Sequence, residues 1–184
     1  MPIDLTMQFT GEMLSDAQKL ENKALIGHWG THFDVMDKTF PLEYTQCKGI
    51  VFDVRNTSGE ITESDVDLSK VEKGMFVAFY TGFSQQEPYG TRRYFGEHPQ
   101  LSYELIDALL KKGVWIIGVD FAGIRRTPEH IPTDRRCADA GTFVVENLCN
   151  LQLVLQQGGT FVANTYPMNF TQITGLPCRV IARV

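Results

Sequence analysis

Two short apolar runs stand out in the first half of the chain, and both predict buried β-strands. The segments GIVFDVR (49–55) and GMFVAFYTGF (74–83) are rich in β-branched and aromatic residues, and each begins with glycine. The polar segment between them, ESDVDLSKVEKG, has the composition of helix or turn. Near the start of the chain, residues 2–9 predict a short strand, and residues 11–25 predict a polar helix or an irregular segment.

A helix followed by a strand is predicted between residues 102 and 120. The candidate N-cap is Ser102. The apolar positions that recur at helical spacing are Leu105, Ile106, Leu109 and Leu110. The helix should end at Gly113, directly after two lysines that favour a helix C-terminus. The apolar run from Val114 to Asp120 then predicts a strand.

The second half of the chain predicts more strands than helices. Strands are expected near Phe143–Val145, at Thr160–Ala163 and in the segment PCRVIARV, with a helical turn near Leu148–Leu155. These strands occur singly and in mixed order, which favours an α/β fold with a mixed, curved or barrel-like β-sheet and few helices. No repeat, low-complexity tract or linker occurs, so residues 1–184 are expected to form a single domain.

Charge and composition exclude several classes of protein. The 17 Lys and Arg residues are scattered among 22 Asp and Glu residues, so no nucleic-acid partner is expected. The sequence has no run of 18 apolar residues and no signal peptide, which predicts no membrane association and a cytoplasmic location. The four cysteines form no CxxC pair and are expected to stay reduced. Neither a Gly-rich phosphate loop nor a GxSxG motif supports nucleotide hydrolysis or acyl-enzyme chemistry.

Candidate chemistry is concentrated in the segment GHWGTHFDVMDK, residues 27–38. Its HxxxH spacing would suit a zinc-binding helix, but Gly30 and Thr31 lie between the histidines, so an extended or looped segment fits better. In an extended chain His32 and Asp34 point to the same side, and a bend at Gly30 could bring His28 round to meet them. Two imidazoles and a carboxylate suit Zn²⁺ or Mn²⁺. The alternative is an ordinary polar turn with surface or core histidines.

The segment HWGTHFD resembles the HxGTHxD signature of the metal-dependent cyclase family, which includes bacterial kynurenine formamidase and isatin hydrolase. Six further segments are similar to family segments and occur in the same order: IDLT (3–6), YTGF (80–83), HPQLS (98–102), IIGVDF (116–121), VVENL (144–148) and LPCRVIA (176–182). The resemblance therefore spans nearly the whole chain.

The resemblance implies a fold of the swivelling β/β/α type and a metal-dependent hydrolase, with metal-bound water as the nucleophile. The implied substrate is a small amide, formamide or cyclic amide, cleaved at a C–N bond other than a peptide bond. One divalent ion, Zn²⁺ or Mn²⁺, would be held by His28, His32, Asp34 and Glu146. Glu146 could instead be a strand-end acid in a salt bridge. Relatives are commonly dimers or larger, so a homodimer or higher homo-oligomer is expected.

The chain departs from the family pattern at two ligand positions. Lys38 stands where the family has a histidine, and Asp134 stands where another histidine is common, twelve residues before Glu146. In two-metal members both histidines belong to the second metal, and the first also transfers protons. A second metal is therefore not expected, because protonated lysine has no lone pair.

Lys38 and Asp134 are the candidate catalytic residues that could replace the missing proton carrier. We expect Lys38 to pair with Asp134 near Asp34 and Glu146, although it could instead point into solvent. His130, in the segment TPEHIPTD that we expect to be a polar loop, is a further candidate acid or base.

Two functions remain open at this stage. The first is hydrolysis by a single metal ion. The second is a catalytically impaired descendant that keeps the fold and binds a small ligand without turnover. A turnover assay distinguishes them.

Overall fold

A computed structural model of the chain describes residues 1–8 and 27–184. In these residues eight strands form one mixed sheet. The strands are β1 (Pro2–Asp4), β2 (His32–Asp34), β3 (Gln46–Asp53), β4 (Phe76–Tyr80), β5 (Ile116–Val119), β6 (Phe143–Glu146), β7 (Thr160–Pro167) and β8 (Gly175–Arg183).

Seven of these strands close into a barrel-like ring. The order around the ring is β8-β2-β6-β5-β4-β3-β7, and β7 pairs again with β8. The four strands β3, β4, β5 and β6 run parallel to one another, whereas the remaining pairings in the ring are antiparallel. The short strand β1 pairs with the last residues of β8. The predicted mixed, barrel-like sheet is therefore confirmed.

Five helices accompany this ring in the described part of the chain. They are α1 (Phe83–Gln86), α2 (Arg92–Gly96), α3 (Tyr103–Lys112), α4 (His130–Asp139) and α5 (Leu151–Leu155). Short 3-10 turns occupy Leu42–Thr45, Glu63–Asp65 and Leu68–Lys70. No helix within residues 1–8 or 27–184 is long and apolar enough to cross a bilayer.

The helix α3 has both of its predicted ends. The Ser102 hydroxyl accepts a hydrogen bond from the Leu105 amide at the N-terminus. At the C-terminus Gly113 has a φ of 69°, a left-handed conformation that favours glycine. The apolar face of the helix, with Leu105, Ile106 and Leu109 fully buried, packs into a cluster that also contains Val77.

Successive side chains of the central strands point to opposite faces of the sheet, and the core is therefore divided into two apolar clusters. In β4, Phe76, Ala78 and Tyr80 belong to one cluster, whereas Val77 and Phe79 belong to the cluster that contains α3. Both faces of this strand are therefore buried, which explains why its sequence is continuously apolar. The predictions of strands at 49–55 and 74–83 are confirmed, with ends shifted by a few residues.

Other predicted elements differ from the structure in length or type. β1 ends at Asp4, and β7 extends to Pro167, well beyond the predicted Ala163. The prediction for residues 11–25 lies outside the described residues, and the single domain stays a prediction. The polar segment around His130 was expected to be a loop, which is wrong, because α4 begins there. Pro132 is compatible with this helix, since the amides of a first turn have no partner within the helix.

Candidate metal centre

The strand β2 holds two of the predicted ligands side by side. His32 and Asp34 are two residues apart in a strand, so both side chains point to the same face, while Phe33 between them enters the core. In the antiparallel ladder with β6, His32 lies directly opposite Glu146. The Nε2 atom of His32 is 3.6 Å from Oε2 of Glu146 and 3.7 Å from Oδ1 of Asp34. One strand pair thus brings together residues that are over a hundred positions apart.

His28 joins this group through the bend at Gly30. Gly30 has a φ of 57°, and the chain before it turns so that His28 faces β2. The Nδ1 atom of His28 lies 3.0 Å from Oδ1 of Asp34 and 3.2 Å from Nε2 of His32. The predicted bend is therefore present. We call His28, His32 and Asp34 the β2 edge of the site.

Hydrogen bonds behind the two rings determine which nitrogen faces the site. Nδ1 of His32 lies 2.9 Å from the carbonyl oxygen of Gly30, which can only accept, so this nitrogen carries the proton and Nε2 is left facing Asp34. Nε2 of His28 lies 2.7 Å from the Thr174 hydroxyl, which leaves Nδ1 facing the site. Such partners commonly orient histidines that bind metals.

Asn147 fixes the loop that carries these histidines. Its side-chain amide donates to the carbonyl of Gly30 at 2.8 Å, and its own carbonyl accepts from the Thr31 hydroxyl at 2.8 Å. The Tyr94 hydroxyl donates to the other end of the Asn147 side chain. The Gly-Thr segment of the signature is thereby tied to the residue that follows Glu146, so the two halves of the ligand set keep their relative position.

A second group of side chains lies on the other side of Glu146. His130 and Asp134 are four residues apart in α4, so they share one face of that helix. The Nε2 atom of His130 is 3.0 Å from Oδ2 of Asp134 and 3.2 Å from Oε1 of Glu146. We call His130, Asp134 and Glu146 the α4 edge of the site.

Three buried carboxylates of the site have oxygen atoms without hydrogen-bond partners, and such a group fits a divalent cation. Asp34, Asp134 and Glu146 are at most 3% exposed. Both oxygens of Asp34, both of Asp134 and Oε1 of Glu146 lack a hydrogen-bond partner. Buried carboxylates are costly unless a cation or donors compensate them. Ligand atoms of His28, His32 and Asp34 lie within 4.8 Å of one another, and so do those of Asp34, His130, Asp134 and Glu146.

Burial and the charges of neighbouring groups shift the pKa of every buried ionisable residue of the site. Burial disfavours the charged form of Asp34, but His32 and His28 outweigh burial and hold the pKa of Asp34 well below its usual range. Burial, with the Asp34 charge, raises the pKa of Glu146, and burial also raises the pKa of Asp134 to about 8.

The pKa values of two imidazoles at the site, His32 and His130, are also raised. Burial lowers the pKa of His32, but Asp34 and Glu146 outweigh it and raise that pKa to about 9. Burial also opposes the charge on His130, yet Asp134 and Glu146 raise its pKa to about 11. Protons on these rings are thus the positive charges that a metal ion would have to replace.

The expected pairing of Lys38 with Asp134 is wrong. Lys38 Nζ lies 2.7 Å from Asp139 and 3.5 Å from Asp37, and its side chain is 39% exposed. The turn after β2, in which Met36 has a φ of 56°, carries Lys38 away from the buried carboxylates. Asp134 lies inside the site, whereas Lys38 lies at the surface beside the end of α4.

Two residues that contact the site, Thr174 and Gly123, were not identified from the sequence. Thr174 contacts His28, and Gly123 lies against the His130 ring. The Tyr89 hydroxyl, in a segment expected to cover the site, accepts from the Gly30 amide at 3.1 Å. Thr174 is distant in sequence from its partner and carries no local signal. Gly123, directly after the strand-end segment GVDFA, is a glycine for which a close approach could have been suspected.

Comparison with known proteins agrees with the fold described above. The family model described as "Putative cyclase" matches residues 3–125. No functionally curated protein sequence matches the chain significantly.

Three solved structures illustrate the structural likeness. A "potential metal-dependent hydrolase with cyclase activity" is 21% identical, with a TM-score of 0.74, and the match covers 99% of this chain and 96% of that one. Isatin hydrolase A from Labrenzia aggregata, bound to benzyl benzoate, is 20% identical, with a TM-score of 0.71 and coverage of 85% and 73%. A protein described as a novel cyclase is 13% identical, with a TM-score of 0.73 and coverage of 100% and 88%.

Proposed function

Because this chain belongs to the cyclase family, we propose that it is a metal-dependent hydrolase of a small amide, formamide or cyclic amide. The observation that carries the proposal is the convergence of His28, His32 and Asp34 with Glu146 in one buried site whose carboxylates lack hydrogen-bond partners. Proteins of the same fold that are described as a metal-dependent hydrolase and as isatin hydrolases support this class of reaction.

The ligands of the ion in this proposal are His28, His32, Asp34 and Glu146, and the ion is Zn²⁺ or Mn²⁺. When bound, such an ion supplies a Lewis acid that activates water and polarises a carbonyl group. The protein contributes the orientation of the ligands, since the carbonyl of Gly30 and the Thr174 hydroxyl hold the two rings with one nitrogen towards Asp34.

A substrate can approach the site beside His28. This side chain is 30% exposed, whereas those of His32, Asp34 and Glu146 are buried. A cavity of about 900 Å³ is lined in part by Thr174, the residue that contacts the His28 ring. Its wall is mainly apolar, with Phe40, Leu42, Met168, Phe170 and Ile173. This size and lining suit a small aromatic amide.

Proton transfer to the leaving amine needs a group that faces the site. The Lys38 ammonium is held at the surface by Asp139 and Asp37, so we do not assign it this role. Asp134 is the remaining candidate of the two, and as a buried carboxyl with a raised pKa it could hold a proton near neutral pH.

The cellular setting is also part of the proposal. All four cysteines are free thiols, which supports a reducing compartment such as the cytoplasm. The expected homodimer or higher oligomer stays a prediction, which sedimentation in solution can measure.

Turnover is the decisive test. Protein loaded with Zn²⁺ or Mn²⁺ is screened against N-formyl aromatic amines, isatins and cyclic imides, and we expect hydrolysis of at least one class. His32→Ala should abolish it, while Asp139→Asn, which removes a surface carboxylate, should retain it. Tight binding without turnover would favour the non-catalytic descendant, and protein that retains no stoichiometric metal would contradict the proposal.

A further inference from the structure

A second cavity lies at the same edge of the sheet as Glu146. The strands β4 and β6 run in the same direction and end at Tyr80 and Glu146, and Thr81, directly after β4, lines the cavity. Its volume is about 360 Å³, which is sufficient for a small organic molecule. None of the described residues that line it belongs to the β2 edge or the α4 edge. A ligand in this cavity would therefore be bound by groups other than those of the metal centre.

The wall of this cavity combines apolar and charged side chains. Its apolar part includes Val54, Ile61 and Phe83. Its charged residues are Arg55, Glu97 and Arg126. A molecule that fits this wall has an apolar part and a charged or polar group.

The charges of Arg55 and Glu97 are compensated by neighbouring residues. Arg55 donates from Nε and Nη2 to the two oxygens of Asp53, at 2.8 and 2.7 Å. The carboxylate of Glu97 lies 3.3 Å from Nε of Arg93. Arg126 differs, because no acidic side chain of the described residues forms an ion pair with it. One positive charge in the wall is thus without a counter-ion in this part of the chain.

The position of Arg126 is fixed by two hydrogen bonds. Its Nε atom donates to the carbonyl of His98 at 2.7 Å, and its backbone amide donates to Oε1 of Gln100 at 2.8 Å. His98 is itself fully buried, and its ring stacks on Phe121 with the ring centroids 5.4 Å apart. The Nη1 and Nη2 atoms form no hydrogen bond with the described residues. The guanidinium is therefore oriented, while its terminal donors remain free for a ligand.

The segment after β4 is held equally firmly. The carboxylate of Asp120, 1% exposed, accepts from the Thr81 hydroxyl at 2.6 Å and from the Gly82 amide at 2.7 Å. These bonds fix the start of the segment that carries Phe83. The cavity is consequently formed before a ligand binds, so binding does not have to order this wall.

We propose that this cavity binds the carboxylate group of a small organic anion. The planar guanidinium of Arg126 presents N–H donors in a geometry that matches the two oxygens of a carboxylate. Val54, Ile61 and Phe83 contact the apolar part of the same molecule. The inference goes beyond the proposed function, because this binding needs neither a metal ion nor hydrolysis.

Fluorine NMR titration of the purified protein tests the inference. The probes are 4-fluorobenzoate and 4-fluorobenzamide, which have the same shape and differ in charge. We expect fluorobenzoate to bind at least about tenfold more tightly, because charge-assisted hydrogen bonds are the stronger ones. Arg126→Gln should weaken fluorobenzoate binding at least about tenfold and leave fluorobenzamide binding unchanged. Arg92→Gln, which changes an exposed arginine outside the cavity, should bind fluorobenzoate as the wild type does.

A titration after treatment with a chelator separates this site from the metal centre. Fluorobenzoate affinity should be unchanged, since no ligand of the proposed ion lines the cavity. Loss of binding on metal removal would place the anion at the metal centre and overturn the inference. Because hydrolysis is not measured, absence of turnover contradicts the proposed function alone.

Two further results would also overturn the inference. They are equal affinity for the two probes and fluorobenzoate binding that is unchanged in Arg126→Gln. If circular dichroism shows that Arg126→Gln is unfolded, Gln86→Glu decides instead. Gln86 is an exposed residue of the cavity wall, and a negative charge there should weaken fluorobenzoate binding at least about threefold. Unchanged binding in that variant would contradict an anion in this cavity.

Discussion

The two edges of the site are built by different means. At the β2 edge, alternation along a strand aligns His32 with Asp34, and hydrogen bonds from Gly30 and Thr174 orient the rings. At the α4 edge, helical spacing aligns His130 with Asp134, and packing against Gly123 positions the ring. The first edge presents oriented nitrogen atoms, and the second presents mainly carboxylate oxygen atoms. One strand pair and one helix thus create two different ligand environments around Glu146.

The strongest test of this comparison changes Asp34, whose carboxylate lies within 4.8 Å of ligand atoms at both edges. Asp34→Asn keeps the shape of the side chain but removes its charge, so we expect metal affinity and kcat/KM to fall at least about a hundredfold. Calorimetry and steady-state kinetics measure these quantities. Asp37→Asn, an exposed neighbour, is the matched control. An Asp34→Asn protein that keeps its metal affinity would show that Asp34 is not a ligand.

A smaller change should affect the β2 edge alone. Thr174→Val removes the hydroxyl that lies 2.7 Å from Nε2 of His28, so Zn²⁺ affinity should fall about ten- to a hundredfold. Thr171→Val, in the same loop, serves as the control. An equal loss of Zn²⁺ affinity in Thr171→Val would indicate a general disturbance of the loop.

Proton release offers a third way to compare the edges. Burial lowers the pKa of His32 but Asp34 and Glu146 raise it to about 9, so below that pH a proton competes with the ion. The apparent Zn²⁺ affinity should therefore rise with pH, about tenfold per unit for each displaced proton between pH 7 and 9. Calorimetry in buffers of different ionisation enthalpy counts the released protons. Affinity that is independent of pH would contradict the assigned protonation of His32.

The smallest effect is expected at Lys38. Its contacts with Asp139 and Asp37 are exposed ion pairs, which contribute little to stability. Lys38→Ala should therefore leave the metal content unchanged and shift the melting temperature by less than about 2 °C. Arg135→Ala, which removes another surface partner of Asp37, provides the comparison. Loss of metal from Lys38→Ala alone would restore the role predicted from the sequence.

The β2 edge could be predicted because the sequence features that bring its residues together lie within one short segment. Two-residue spacing in an extended segment and a glycine between the histidines were sufficient to place His28, His32 and Asp34 together. Glu146 was carried over from the family resemblance, and the cross-strand pair with His32 agrees with it. The buried strands and α3 were predicted correctly for the same reason. The spacing of their apolar residues and the capping residues of the helix can be read within each segment.

The α4 edge could not be predicted in the same way. The polar segment around His130 predicted a loop, whereas Pro132 occupies the first turn of a helix, where it is tolerated. The direction of Lys38 depends on the left-handed conformation of Met36, which a non-glycine residue rarely adopts and which no local pattern indicates. Both errors, the loop around His130 and the direction of Lys38, concern the course of the backbone next to a ligand. Neither concerns which residue types can bind a metal.

The position of β2 inside the ring has a consequence for how this site can change. Residue 32 faces Glu146 on one neighbouring strand and Pro177 on the other, so main-chain ladders on both sides hold it in register. The backbone positions of residues 32–34 are therefore fixed by the sheet. Substitutions at these positions can alter metal preference while the architecture persists, and amide hydrogen exchange of residues 32–34 should remain equally slow after chelation.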